Sequence, residues 1–135
     1  MNVLVLGSGG REHAICRGLS LSPEVKKLYC VPGNPGIAQI AECVSLPSGD
    51  NEAVADFAAD KKIDLLVVGP ELPLCQGVAD AVRAKGIPVF GPSKAGARLE
   101  GSKDFSKQFM VKYGIPTAKY ASFSDCDAAL KYVAD

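Results

Sequence analysis

The chain has 135 residues, enough for one domain with its own core and a small appendage. Apolar residues make up 47% and charged residues 22%, the balance of a soluble globular protein. Fifteen basic residues offset fifteen acidic ones, which argues against nucleic acid or an anionic membrane surface as a partner, and no apolar run approaches the ~20 residues of a membrane span.

In chain order, Val3–Leu6 reads as a short buried strand, so the N-terminus carries no basic-then-apolar leader and a cytoplasmic location is expected. The strand breaks into Gly7-Ser8-Gly9-Gly10, three glycines in four residues, and a helix over Arg11–Leu21 follows at once. Glycine lets backbone approach a ligand closely, and a helix N-terminus offers unpaired N–H groups and partial positive charge, so a phosphate suits this turn. Gly7 and Gly9 fit the dinucleotide fingerprint, but Glu12 stands where its third glycine belongs. The second strand, Leu28–Val31, runs into Pro32-Gly33-Asn34-Pro35-Gly36 with no acid for a ribose hydroxyl, which disfavours NAD and favours a smaller phosphorylated ligand. A structural strand-to-helix turn without a ligand is the plain alternative.

A weaker strand is expected near Glu42–Leu46, then a helix over Asn51–Lys62 capped by Asp50. Leu65–Val68 is the next strand, followed by Gly69-Pro70-Glu71-Leu72-Pro73-Leu74, which reads as a rigid loop presenting one carboxylate to sugar hydroxyls or an amine. A helix over Gln76–Lys85 ends at Gly86, and Pro88–Phe90 is the last strand of the series, followed by Gly91-Pro92-Ser93. The alternation argues an α/β fold, a Rossmann-like doubly wound parallel sheet, with its Gly/Pro loops gathered at the carboxyl edge where such sheets bind ligands. The expectation is one cleft bordered by Gly7–Gly10, Gly33–Asn34 and Gly69–Glu71.

The character shifts near Gly101. Ser102–Gly114 reads as an amphipathic helix with Phe105, Phe109 and Met110 on one face, Lys119–Phe123 as a strand, and Ser124-Asp125-Cys126-Asp127 as the capped start of a helix running to the chain end. Residues 1–101 are thus expected to form one domain and residues 102–135 the incomplete beginning of another, with apolar side chains open to self-association. The five cysteines, Cys16, Cys30, Cys43, Cys75 and Cys126, form no C-x-x-C pair and read as small thiols in a reducing compartment. His13, the single histidine, reads as helix packing beside the glycine loop, and no metal site is expected in this chain.

Six motifs stand in order: Gly7-Ser8-Gly9-Gly10-Arg11-Glu12-His13-Ala14, Pro32-Gly33-Asn34-Pro35-Gly36, Val68-Gly69-Pro70-Glu71-Leu72-Pro73-Leu74, Phe90-Gly91-Pro92-Ser93, Leu99-Glu100-Gly101-Ser102-Lys103 and Ile115-Pro116-Thr117-Ala118. Together they resemble the glycinamide ribonucleotide synthetase family (phosphoribosylamine–glycine ligases) over nearly the whole chain, with Pro35 where alanine is more usual. The resemblance implies an ATP-dependent ligase of purine biosynthesis, a Rossmann-like domain followed by an ATP-grasp domain, that joins glycine to 5-phosphoribosylamine through glycyl phosphate with ATP and Mg²⁺. It implies phosphoribosylamine contacts at Gly7, Ser8, Gly9, Gly10, Arg11, Glu12, Asn34, Pro70 and Glu71, and an ATP contact at Lys103. It also implies that the elements holding ATP, Mg²⁺ and glycine lie beyond Asp135, so the chain reads as an N-terminal fragment, inactive alone, with no catalytic residue and no cofactor of its own. The alternatives are a non-catalytic phospho-ligand or nucleotide-binding module and the matching domain of another ATP-grasp ligase such as a carboxylase. A receiver domain is excluded, because it needs clustered acids where Gly7–Gly10 stand.

Overall fold

The computed structural model describes residues 1–47 and 49–134. Five strands, β1 (Asn2–Gly7), β2 (Lys27–Pro32), β3 (Glu42–Cys43), β4 (Leu65–Val68) and β5 (Val89–Phe90), form one wholly parallel sheet in the order β3-β2-β1-β4-β5. The chain starts in the centre, winds outward to β3, and returns to β4 on the other side of β1, so the switch of direction falls at β1. The strands are continuous apolar runs because both faces of the sheet are covered. Alternate residues go to opposite faces. Val3 and Val5 pack with Cys16 of helix α1 (Gly10–Ser20), whereas Leu4 and Leu6 pack with Val54 and Ala58 of α2 (Asn51–Asp60) and with Val78 and Val82 of α4 (Val78–Ala84).

Local chemistry starts and stops these helices. Asp50 caps α2 by accepting the Ala53 N–H at 2.9 Å. Between α3 (Glu71–Gln76) and α4 stands Gly77 at φ +101°, a left-handed residue that ends one helix and begins the next. The sequence suggested a single helix over Gln76–Lys85 and a loop over Gly69–Leu74; the structure replaces that loop with α3. Pro70 is its N-cap and Pro73 lies in its first turn, where the N–H that proline lacks would have no helical acceptor. Helix α5 (Lys94–Gly101) was not evident in the sequence, because the Lys94 N–H is taken by Asp80 of α4, fourteen residues upstream.

The chain divides into two compact units, Met1–Ala97 and a second from Arg98 onward. In the second unit, Ser102 caps α6 (Lys103–Lys112) by accepting the Phe105 N–H at 3.3 Å, Arg98 stacks 4.0 Å over the Phe105 ring, and Phe109 and Tyr113 lie 4.5 Å apart. Helix α7 (Cys126–Ala134) is capped by Asp125, which accepts the Ala128 N–H at 2.8 Å, rather than by Ser124. The final residue of the expected terminal helix, Asp135, lies outside the described residues. The expected strand at Lys119–Phe123 is not formed: a strand needs a ladder partner, and none of the five described strands pairs with it. Neither α6 nor α7 buries a residue, and no described helix is long and apolar enough to cross a membrane.

The fold yields two expected outcomes. Leu4 is fully buried in the central strand, so Leu4→Ala should cost about 3 kcal/mol of stability in urea unfolding. Amides of α6 should exchange with deuterium roughly a hundredfold or more faster than those of β1, because a helix with no buried residue opens at small cost.

Candidate functional site

The carboxyl ends of all five strands lie on one edge of the parallel sheet. There the loop from β1 into α1 meets the turn from β4 into α3. Gly7 has φ +133°, a conformation few other residues tolerate, and its carbonyl accepts hydrogen bonds from the Gly33 N–H at 3.1 Å and the Cys30 thiol at 3.4 Å. Cys16 and Cys30 are buried, and burial pushes both thiols above their ordinary pKa.

Glu12 is the one buried charged side chain among the described residues, 4% exposed. It accepts the Gly9 N–H at 2.7 Å and the Arg11 Nε–H at 3.0 Å, so half of a capping box is closed by a helix's own third residue. Burial alone would raise its pKa, but the hydrogen bonds from Arg11 and Gly9 outweigh that and hold it below the usual glutamate value. Gly7, Gly9 and Gly69 all pack against this side chain. Arg11 also reaches Glu71, Nη2 to Oε2 3.7 Å, with both side chains more than half exposed. Glu71 is therefore the first residue of a helix, facing an arginine, and not a carboxylate held alone between prolines.

Asn34 ties the β2 loop to the same place. Its Nδ2 donates to the Ser8 carbonyl at 2.8 Å, and its Oδ1 accepts the Gly36 and Ile37 N–H groups, each at 2.9 Å. His13 packs against Gly36, as expected of a helix-packing histidine. The N–H groups of Ser8, Gly10 and Arg11 find no acceptor among the described residues, so the loop keeps unpaired donors at the positive end of α1.

A cleft of about 350 Å³ opens beside this loop. Of the residues singled out in the sequence, Gly7, Ser8, Gly9, Glu12 and Pro70 line it; Gly10, Arg11, Asn34 and Glu71 do not, and stand on or behind the adjoining loops. A further wall comes from Pro47 and Asp50 before α2, Asn51 at its start, and Pro73 and Gln76 of α3, and Leu6 and Val31 also line the cleft. Asn51 Nδ2 donates to the Gln76 carbonyl at 3.0 Å and joins the two parts of that wall. Sequence reading had Asp50 as a cap and passed over Asn51 and Gln76, since a bond across 25 residues leaves no local signal. Lys103 lies in the second unit, exposed in the first turn of α6. Among the described residues no group of three or more His, Cys, Asp or Glu is placed to hold a metal ion.

Comparison with known proteins identifies a family, and structural likeness extends the fold beyond it. The family model described as phosphoribosylglycinamide synthetase, N domain, matches residues 1–100. The phosphoribosylamine–glycine ligase of Mesorhizobium japonicum is 58% identical over 133 residues, 98% of this chain and 31% of that protein. The trifunctional purine biosynthetic protein adenosine-3 of Drosophila melanogaster is 47% identical over 97% of this chain and 10% of its own length. A crystal structure of phosphoribosylamine–glycine ligase from Thermotoga maritima superposes with TM-score 0.63 at 32% identity, over 88% of this chain and 26% of that one. N5-carboxyaminoimidazole ribonucleotide synthetase from the same organism shares the fold at TM-score 0.72 and 18% identity, over 97% of this chain and 36% of that one. The chain spans about a third of the length of the bacterial curated relatives it matches.

The ionised, internally bonded Glu12 sets a pH dependence. A carboxylate held below its unfolded pKa stabilises the fold above about pH 4.5, and that contribution is lost as pH falls through the depressed folded value. Glu12→Gln should therefore cost about 1–3 kcal/mol at pH 7, and the gap from wild type should close on acidification in urea unfolding followed from pH 7 to pH 3.

Proposed function

The chain belongs to the phosphoribosylglycinamide synthetase N-domain family, and from that premise we propose that it is the phosphoribosylamine-binding part of an ATP-dependent carbon–nitrogen ligase of purine biosynthesis, working in the cytoplasm. The observation that carries this reading is the glycine loop with unpaired N–H groups at the head of α1, opening on a cleft of small-ligand size.

On this reading the Ser8 and Gly10 N–H groups and the Arg11 guanidinium take the 5′-phosphate, since backbone donors and a fixed positive charge suit a dianion. Glu71, exposed beside Arg11, faces the ribose hydroxyls or the amine. Pro70, the neighbour of that residue in sequence, lines the cleft. Asn34 acts mainly by fixing the Ser8 carbonyl, because its oxygen is already shared by two backbone N–H groups. The proposed reaction forms a bond from the amine nitrogen to the acyl carbon of glycyl phosphate, breaks the acyl–phosphate bond, and releases phosphate and the amine proton. This chain's part is to bind and orient the amine.

Among the described residues no group of three or more His, Cys, Asp or Glu is placed to hold Mg²⁺, and on this reading that ion's chemistry belongs to parts of the relatives outside the matched region. Lys103 is the proposed contact to ATP, from the first turn of α6. The activation of glycine is assigned to parts of the relatives outside the matched region, and residues 1–101 and 102–135 are read as the binding domain and the beginning of the ATP-grasp domain. The exposed Val111, Tyr113, Phe123 and Leu130 support self-association of residues 102–135 where nothing else covers them.

Titration calorimetry with ribose 5-phosphate tests the reading. Wild type should bind, Arg11→Ala should weaken binding by about tenfold or more, and Glu71→Gln by a smaller factor. Wild-type affinity in both variants would remove the α1 loop and α3 from the ligand site. The chain alone, given ATP, glycine, Mg²⁺ and phosphoribosylamine, should release no ADP above background.

A further inference from the structure

We propose that Glu12 is a positioning residue: its carboxylate locks the β1–α1 loop to the β4–α3 turn and aims the Arg11 guanidinium, without touching the ligand itself. The proposal rests on the reading of the glycine loop as a phosphate-binding site.

The packing around Glu12 is the first ground. An ideal Cβ at Gly7 or Gly69 would overlap its side chain, and one at Gly9 would stand 2.9 Å from Oε2. Gly69 does not have a positive φ, so its backbone makes no demand for glycine. The demand comes from Glu12, 57 residues upstream of Gly69, which lies across the gap between the loop after β1 and the turn after β4.

The oxygens are the second ground. Oε2 is taken by the Gly9 N–H and Oε1 by the Arg11 Nε–H, and 4% exposure leaves almost no surface for a ligand. The third ground is how Arg11 is held. Its inner Nε is bound by Glu12 and its Nη2 lies 3.7 Å from Glu71, so carboxylates from two elements border one planar guanidinium. A long exposed side chain that would otherwise sample many rotamers is fixed at its root, and its remaining donors are left for an anion. Glu12 thus reduces the ordering cost of binding without adding a contact.

The test uses the whole chain, with ribose 5-phosphate as the probe. Glu12→Gln keeps the size and an acceptor for Gly9 but removes the charge that holds Arg11. It should remain folded, bind ribose 5-phosphate about tenfold more weakly, and show an Arg11 Nε–H NMR signal that shifts and exchanges faster with water. Wild-type affinity with an unchanged Arg11 signal would overturn the aiming of Arg11. For the lock, Gly69→Ala should lower the melting temperature by roughly 10 °C in wild type and by less than about 3 °C when Glu12 is already alanine. Equal losses in both backgrounds would overturn it. Should Glu12→Ala fail to fold, Glu12→Asp, which withdraws the carboxylate by one methylene, replaces it in the same cycle. If wild type does not bind ribose 5-phosphate, the phosphate reading falls and the aiming of Arg11 with it, while the Gly69 pair still decides the lock.

Discussion

A carboxylate taken out of water must find its hydrogen bonds inside the protein, and Glu12 finds them on the backbone of its own loop and on its neighbour Arg11. That requirement shapes the surroundings. The loop must turn so that the Gly9 N–H points inward. Gly7, Gly9 and Gly69 must lack side chains, because the glutamate occupies the space their Cβ atoms would fill. Arg11 must direct its Nε–H to Glu12, and its Nη2 then lies 3.7 Å from Glu71. One buried charge thereby sets the relative position of the two loops that border the cleft. It also gives a physical account of why a dinucleotide is disfavoured: the position that the dinucleotide fingerprint gives to a third glycine holds an anion of the protein's own, bound at the positive end of α1.

The sheet supplies the stage for this arrangement. With β1 central and the direction of winding reversing there, the loops after β1 and β4 come out side by side, and the loop after β2 closes the other flank through Asn34 and Ser8. The cores on the two faces draw on alternate residues of the same strands, so Val3 and Val5 serve one face while Leu4 and Leu6 serve the other. A loop seated on strands buried on both faces has little freedom to drift.

The second unit obeys different physics. Its helices are held by local caps and by stacking among Arg98, Phe105, Phe109 and Tyr113, and no side chain of α6 or α7 is buried. Secondary structure there follows from the sequence over short distances, while the apolar residues that would normally anchor it remain open.

What the sequence determined by itself was everything carried by period, composition and neighbouring residues. The buried strands, the helix after the glycine loop, the Asp50 cap and the parallel α/β class all follow from apolar runs and from cap chemistry within a few residues. The ordered motifs were enough to identify the family. Long-range partners decided the rest. Lys119–Phe123 has strand-like composition but no ladder to join. Helix α5 starts where a distant Asp80 accepts its first N–H. Glu71 looked like a solitary carboxylate until the fold brought Arg11 beside it, and Asn51 and Gln76 became one wall only when α2 and α3 met. Glu12 shows the division most clearly. Sequence marked it as the wrong residue for a dinucleotide loop. Only the tertiary structure, by enclosing it between glycines of two separate loops, decided that its carboxylate is bonded to the loop backbone and to Arg11.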